Sequence, residues 1–205
     1  MNPMRFLVSI SLSVMMCLAA PALLWGSGTA RQHDGFFLRL AGGLGYATTD
    51  IDDGVDQIDL SGMTGDLEIA IGGMVARNLA LHGTLLGWAI ADPDVQFNSN
   101  SGEFPGDLSL SAAGIGVTYF FMPTNLYLSG TVGFGQLTLD VDGVGNADTD
   151  TGFVFEGTLG KEWWVSDNWG IGLSGAFGFH SIPDDGIDES WKGANFALRF
   201  SATFN

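Results

Sequence analysis

From Gly35 to the end of the chain, large apolar residues recur at every second position, the period of a β-strand with two unlike faces. Between 169 and 179, Trp169, Ile171, Leu173, Phe177 and Phe179 share one face with Gly175, and the other face holds Gly170, Gly172, Ser174, Ala176 and Gly178. Near the end, Phe196, Leu198, Phe200, Ala202 and Phe204 alternate with Asn195, Ala197, Arg199, Ser201 and Thr203. Leu67, Ile69, Ile71 and Val75 alternate likewise with Glu68, Ala70, Gly72 and Met74.

Eight such segments are expected, at 35–47, 65–76, 79–91, 107–121, 126–141, 152–165, 169–181 and 191–205. Soluble strands run to about 5–6 residues, whereas a tilted membrane strand needs about 9–11. These segments suit the second. In 107–121 the apolar parity switches from Leu108 and Leu110 to Ile115, Val117, Tyr119 and Phe121, which a bulge near Ala112 or Ala113 would explain. The links alternate in length. Arg77-Asn78, 122–125 and 166–168 are tight turns, while 48–64, 92–106, 142–151 and 182–190 are longer loops. That alternation predicts an all-β fold, an eight-stranded antiparallel up-and-down transmembrane β-barrel over residues 31–205. Its short turns would face the periplasm and its long loops the exterior, with both termini periplasmic.

The chain has 205 residues, enough for one domain. Its formal net charge of −16 argues against nucleic acid as a partner, since phosphate binding needs a basic footprint. The acids concentrate in the long links and at their edges: Asp50, Asp52, Asp53, Asp56 and Asp59; Asp92, Asp94, Glu103 and Asp107; Asp140, Asp142, Asp148 and Asp150; Asp184, Asp185, Asp188 and Glu189. Aromatics sort by height. Trp163, Trp164, Trp169, Tyr119, Tyr127 and Phe204 fall near the short turns, and Tyr46, Trp88, Phe153, Phe155, Phe179 and Trp191 near the long loops. Two such levels are expected as girdles at two membrane interfaces. In the tight hairpin GKEWWVSDNWG, Trp163 should face lipid, Trp164 and Glu162 the lumen, and Lys161 the headgroups.

The N-terminus adds a compartment. Arg5 is followed by an apolar stretch from Phe6 to Ala20, and small residues then offer cleavage after Ala22 or Ala30. Residues 1–30 therefore read as a secretory signal peptide. The one cysteine, Cys17, lies within it, so the mature chain would have no disulfide.

On GFFLRLAGGLGYA, LGKEWWVSDNWGIGLSG and ANFALRFSATFN, the chain resembles the small eight-stranded outer-membrane barrels of Gram-negative bacteria, the OmpA-like and OmpX-like family, over residues 35–205. The family usually ends in an aromatic, and here Asn205 follows Phe204. The resemblance implies a monomer in the outer membrane, touching lipid and lipopolysaccharide, inserted by the barrel-assembly machinery, with interior ion pairs and no cofactor.

Parity turns Arg39, Glu68, Glu156, Glu162, Arg199 and His82 inward. An eight-stranded barrel is narrow enough for side chains to fill it, and buried charges must be paired. An Arg39–Glu162–Arg199 cluster is expected, a structural plug in preference to an ion path, with Glu68 and Glu156 left to water or Lys192. A catalytic set would need a base beside a nucleophile. His180-Ser181 lies beside Asp184 and Asp185, but neighbours on a strand point to opposite faces. The acids of 50–59 and 140–150, with Asp50, Asp52, Asp53, Asp140 and Asp142 foremost, are the candidates for a hard cation such as Ca²⁺. Neither run has EF-hand spacing; solvated, mobile loops are the leading expectation, with weak divalent bridging to lipopolysaccharide second. The expected function is non-enzymatic, structural or surface-interacting through an unidentified external ligand. A small low-conductance channel and a lipid-modifying barrel enzyme are the alternatives.

Overall fold

The computed structural model describes residues 33–52, 56–98, 100–141, 143, 145–184 and 189–204. The proposed signal peptide and its cleavage sites lie outside them, as do Asp53, Asp142, Asp185, Asp188 and Asn205. The strands are β1 (Phe36–Asp52), β2 (Gln57–Ala76), β3 (Leu79–Ala91), β4 (Asp94–Phe97), β5 (Asn100–Glu103), β6 (Gly106–Phe121), β7 (Leu126–Val141), β8 (Gly145–Asp148), β9 (Gly152–Trp164), β10 (Trp169–Pro183) and β11 (Ser190–Phe204). Eight long ones form a closed antiparallel barrel in the order β1-β2-β3-β6-β7-β9-β10-β11, and β11 returns to β1 with Leu38 opposite Phe204 and Leu44 opposite Leu198. Closure leaves no edge in the barrel wall itself, so its ladder bonds are made within the sheet.

Alternation then decides which side chains enter the lumen. Arg39, Glu68, His82, Thr118, Ser129, Glu156, Glu162, Ser174 and Arg199 are buried, while Leu44, Leu67, Ile115, Phe134, Leu159, Leu198 and Phe200 stand out from the barrel. No described helix is long and apolar enough to cross a membrane.

Two expectations about the elements change. The register of β6 against β3 and β7 runs unbroken through Ala112 and Ala113, so there is no bulge there. Leu108 and Leu110 point inward and Ile115 and Val117 outward, because the lumen itself turns apolar towards the long-loop end. The irregularity lies instead between Met74 and Ala76. Secondly, the long links are not all loop. β1 and β2 continue past the barrel wall to Asp52 and from Gln57, and 92–106 folds into the β4–β5 hairpin, which extends the sheet from β2. Aspartate disfavours strands, which is why these stretches read as loop. Their inward partners Thr49, Ile51 and Leu60 are nevertheless buried, and ladder pairing overrides the propensity.

The tight turns form the other end. Asn78 and Asn125 take left-handed backbone (φ 59° and 53°), a conformation asparagine tolerates better than most residues.

Candidate functional site: the layered lumen

Three layers fill the barrel. At the short-turn end, His33 enters the lumen and stacks on Phe120 with ring centroids 3.6 Å apart. Its Nε2 lies 2.7 Å from Oδ1 of Asn125, and its backbone N–H donates to Oδ1 of Asn78. Phe37, Tyr127 and the half-buried Trp164 complete this layer.

The middle layer is charged. Arg39 donates from Nε and Nη2 to Oε1 of Glu68 at 3.0 and 2.9 Å, and from Nη2 to Oγ of Ser129 at 3.1 Å. Its guanidinium carbon lies 4.8 Å from the Tyr127 ring centre, a cation–π contact. That ring occupies the space beside Gly160, where any Cβ would overlap it. Arg199 is the hub. Its Nη1 and Nη2 donate in parallel to the two oxygens of Glu156 at 2.7 and 2.6 Å, its Nη1 also to Oε2 of Glu68 at 2.8 Å, and its Nε to Asp66. The parallel fork is the strongest geometry available to a guanidinium and a carboxylate. His82 bridges Thr84 and Thr118, and Thr118 meets Ser129 at 2.8 Å, which joins the network to the barrel wall.

Arg39 and Arg199 thus share one network, through Glu68. Glu162 makes no hydrogen bond to either arginine: it turns inward, feels the charge of Arg39, and accepts from Oγ1 of Thr203 at 2.5 Å. Glu68 and Glu156, assigned above to water or Lys192, are the carboxylates that bind the arginines. Height explains the exchange. Glu162 pairs across β10 with Gly172, near the turns, whereas Glu156 pairs with Gly178. Asp66 is not among the expected lumen groups, although it lies in the 65–76 segment and shares the inward parity of Glu68.

The outer layer is apolar. Ala47, Leu60, Leu86, Trp88, Ile90, Leu108, Leu110, Leu137, Val154 and Ile182 form one buried cluster, with Leu139 and Trp191 packed on it. His180 turns inward here and meets Oγ1 of Thr49 at 2.9 Å; Ser181 points the other way, so the two do not form a catalytic pair.

Outside the barrel, Trp163, Trp169 and Tyr119 are exposed and Phe204 is half-buried, its ring 5.3 Å from that of Trp169. Lys161 donates to the Thr124 carbonyl and its Nζ lies 5.5 Å from the Trp163 ring centre. Tyr127, Trp88 and Trp164 leave the girdle: the first two are buried in the lumen, and Trp164 is half-buried there against His33. At the long-loop end Asp50 is paired opposite Asp59, and Asp140 opposite Asp107. Asp52 and Asp140 are exposed. Among the described residues no three acids or histidines converge as a metal site.

A closed eight-strand barrel, apolar outside and ion-paired within, defines a small transmembrane β-barrel. The chain belongs to the outer membrane protein β-barrel family, whose domain model matches residues 10–204. It is similar in fold to Neisserial surface protein A (12% identity, TM-score 0.54, covering 83% of this chain and 96% of that one). Ail, the attachment invasion locus protein of Yersinia pestis (14%, 0.48, 83% and 99%), and the outer membrane protein OprG of Pseudomonas aeruginosa (14%, 0.49, 84% and 98%) also align. No curated protein matches the sequence.

Proposed function

We propose that this outer-membrane barrel is non-enzymatic and non-conducting, and that it acts through the acidic face at its long-loop end. The observation that carries the reading is the middle layer. Two guanidiniums and Asp66, Glu68 and Glu156 span the bore from β1, β2, β9 and β11, all of them buried. An ion crossing that layer would have to break a forked ion pair in a low dielectric, where the attraction is many times its value in water. Aromatic rings occlude the lumen below and aliphatic side chains above.

In this reading the long loops face the exterior, both termini are periplasmic, and lipopolysaccharide surrounds the outer rim. The strands β4 and β5 and the extended β1–β2 hairpin give the acidic face a fixed shape that a partner can recognise. The test is planar-bilayer recording of the refolded protein. Silence is expected; steady single-channel openings would establish the channel reading in its place. Protease cleavage of the 142–151 link on intact cells, with the short turns untouched, tests the orientation.

A further inference from the structure

The long-loop mouth of the lumen holds a cavity of about 110 Å³ that the occluded middle layer does not use. Its floor is aliphatic: Leu60, Leu108 and Leu137 are buried, and Leu139 is half-buried. Its rim is of another kind. Asp148, Asp184 and Trp191 line it, and no lysine or arginine does so among the described residues. The rim is held in place. Trp191 Nε1 donates to Oδ2 of Asp184 at 2.8 Å, and Oδ1 of Asp148 accepts from Oγ1 of Thr138 at 2.7 Å. The backbone around it is tied too, since Asp150 N–H donates to the Pro183 carbonyl.

We infer that this mouth is a binding site for an amphiphilic ammonium, a short alkyl chain carrying a cationic amine. The aliphatic floor takes the alkyl end. A cavity of about 150 Å³ accepts benzene, so this one holds the tip of a chain and not a large ring system. The head meets two carboxylates beside an indole, a set that attracts an ammonium by charge and, where it reaches the ring, by the ring quadrupole. Both halves are needed. The charge excludes fatty acids of the same length, and the floor excludes hydrated inorganic cations. The site lies above the charged layer, so it does not depend on whether the lumen conducts.

The experiment uses the whole barrel in lipid nanodiscs with ¹⁵N-labelled tryptophan. Hexylammonium chloride, hexan-1-ol and sodium hexanoate are titrated separately while the Trp191 indole resonance is followed. Hexylammonium should shift it saturably. The alcohol should bind about 10-fold more weakly, the size of a cation–π contact with a partly screened ion pair, and hexanoate should leave it unmoved. Asp148→Asn should bring hexylammonium towards the alcohol's affinity without disturbing the Trp191–Asp184 bond. Leu137→Trp, which fills the floor, should abolish binding of both. Equal affinity for amine and alcohol overturns the inference, and so does an unmoved Trp191 signal in the wild-type protein. The three-probe comparison on wild-type protein decides the matter even where a variant fails to fold.

Discussion

The middle of the lumen and its long-loop end are lined by the same strands, yet opposite chemistries fill them. In the middle, Arg39 and Arg199 bind Asp66, Glu68 and Glu156. One level higher, Leu86, Trp88, Leu110 and Leu137 pack as in a soluble core. The difference teaches how such a lumen is made stable. Charges removed from water are tolerable only if geometry satisfies them, and here the forks do so. The aliphatic layer keeps water and the acidic loops away from those forks, while gaining its own stability from burial, at about 25 cal/mol per Å² of apolar surface.

Breaking the charged layer should have the largest effect. Arg199→Ala leaves Asp66 and Glu156 buried without a cation, while Glu68 keeps Arg39, a loss of about 3–5 kcal/mol. The heat-modifiable shift on electrophoresis should be lost at a much lower temperature. A change under about 1 kcal/mol would show that the network contributes little. In the apolar layer, Leu110→Ala should cost about 3 kcal/mol through transfer and cavity terms, read as a lower urea midpoint with unchanged slope. Glu162→Ala sharpens the contrast within the charged groups. It removes one hydrogen bond, from Thr203, and should cost about 1 kcal/mol. A loss equal to that of Arg199→Ala would place Glu162 in the network after all.

The smallest effect belongs to the loop end. Burial, reinforced by Asp59 across the ladder and partly offset by Lys192, holds the Asp50 carboxyl above the usual carboxylate range. Its charged form is therefore disfavoured in the folded state. Asp50→Asn should stabilise the β1–β2 hairpin slightly at neutral pH, by about 0.5 kcal/mol or less. The gain should vanish as pH falls below the ordinary carboxylate pKa, where Asp50 is neutral both folded and unfolded. Hydrogen exchange of the hairpin amides at two pH values measures it.

The wall of the barrel was legible and its filling only partly so. Period-two alternation marked eight strands because lipid on one side and a narrow lumen on the other impose opposite demands on neighbouring residues. The same parity placed Arg39, Glu68, Glu156, Glu162 and Arg199 inside. It misled at Leu108 and Leu110, where the lumen is as apolar as the lipid face, so that hydrophobicity no longer tells inside from outside. It also sent Tyr127 and Trp88 to the girdle, since an aromatic suits a membrane interface and a lumen layer equally well.

By itself, the sequence determined the class, the number of strands, the acidic end and which parity faces inward, all of which depend on local alternation and composition. Only the tertiary structure decided who pairs with whom. Arg199 meets Glu156 because of the stagger between strands, and so does Arg39 meet Glu68 while Glu162 falls to Thr203. Stagger is a property of the closed sheet, fixed by how β1 meets β11, and a single strand carries no record of it.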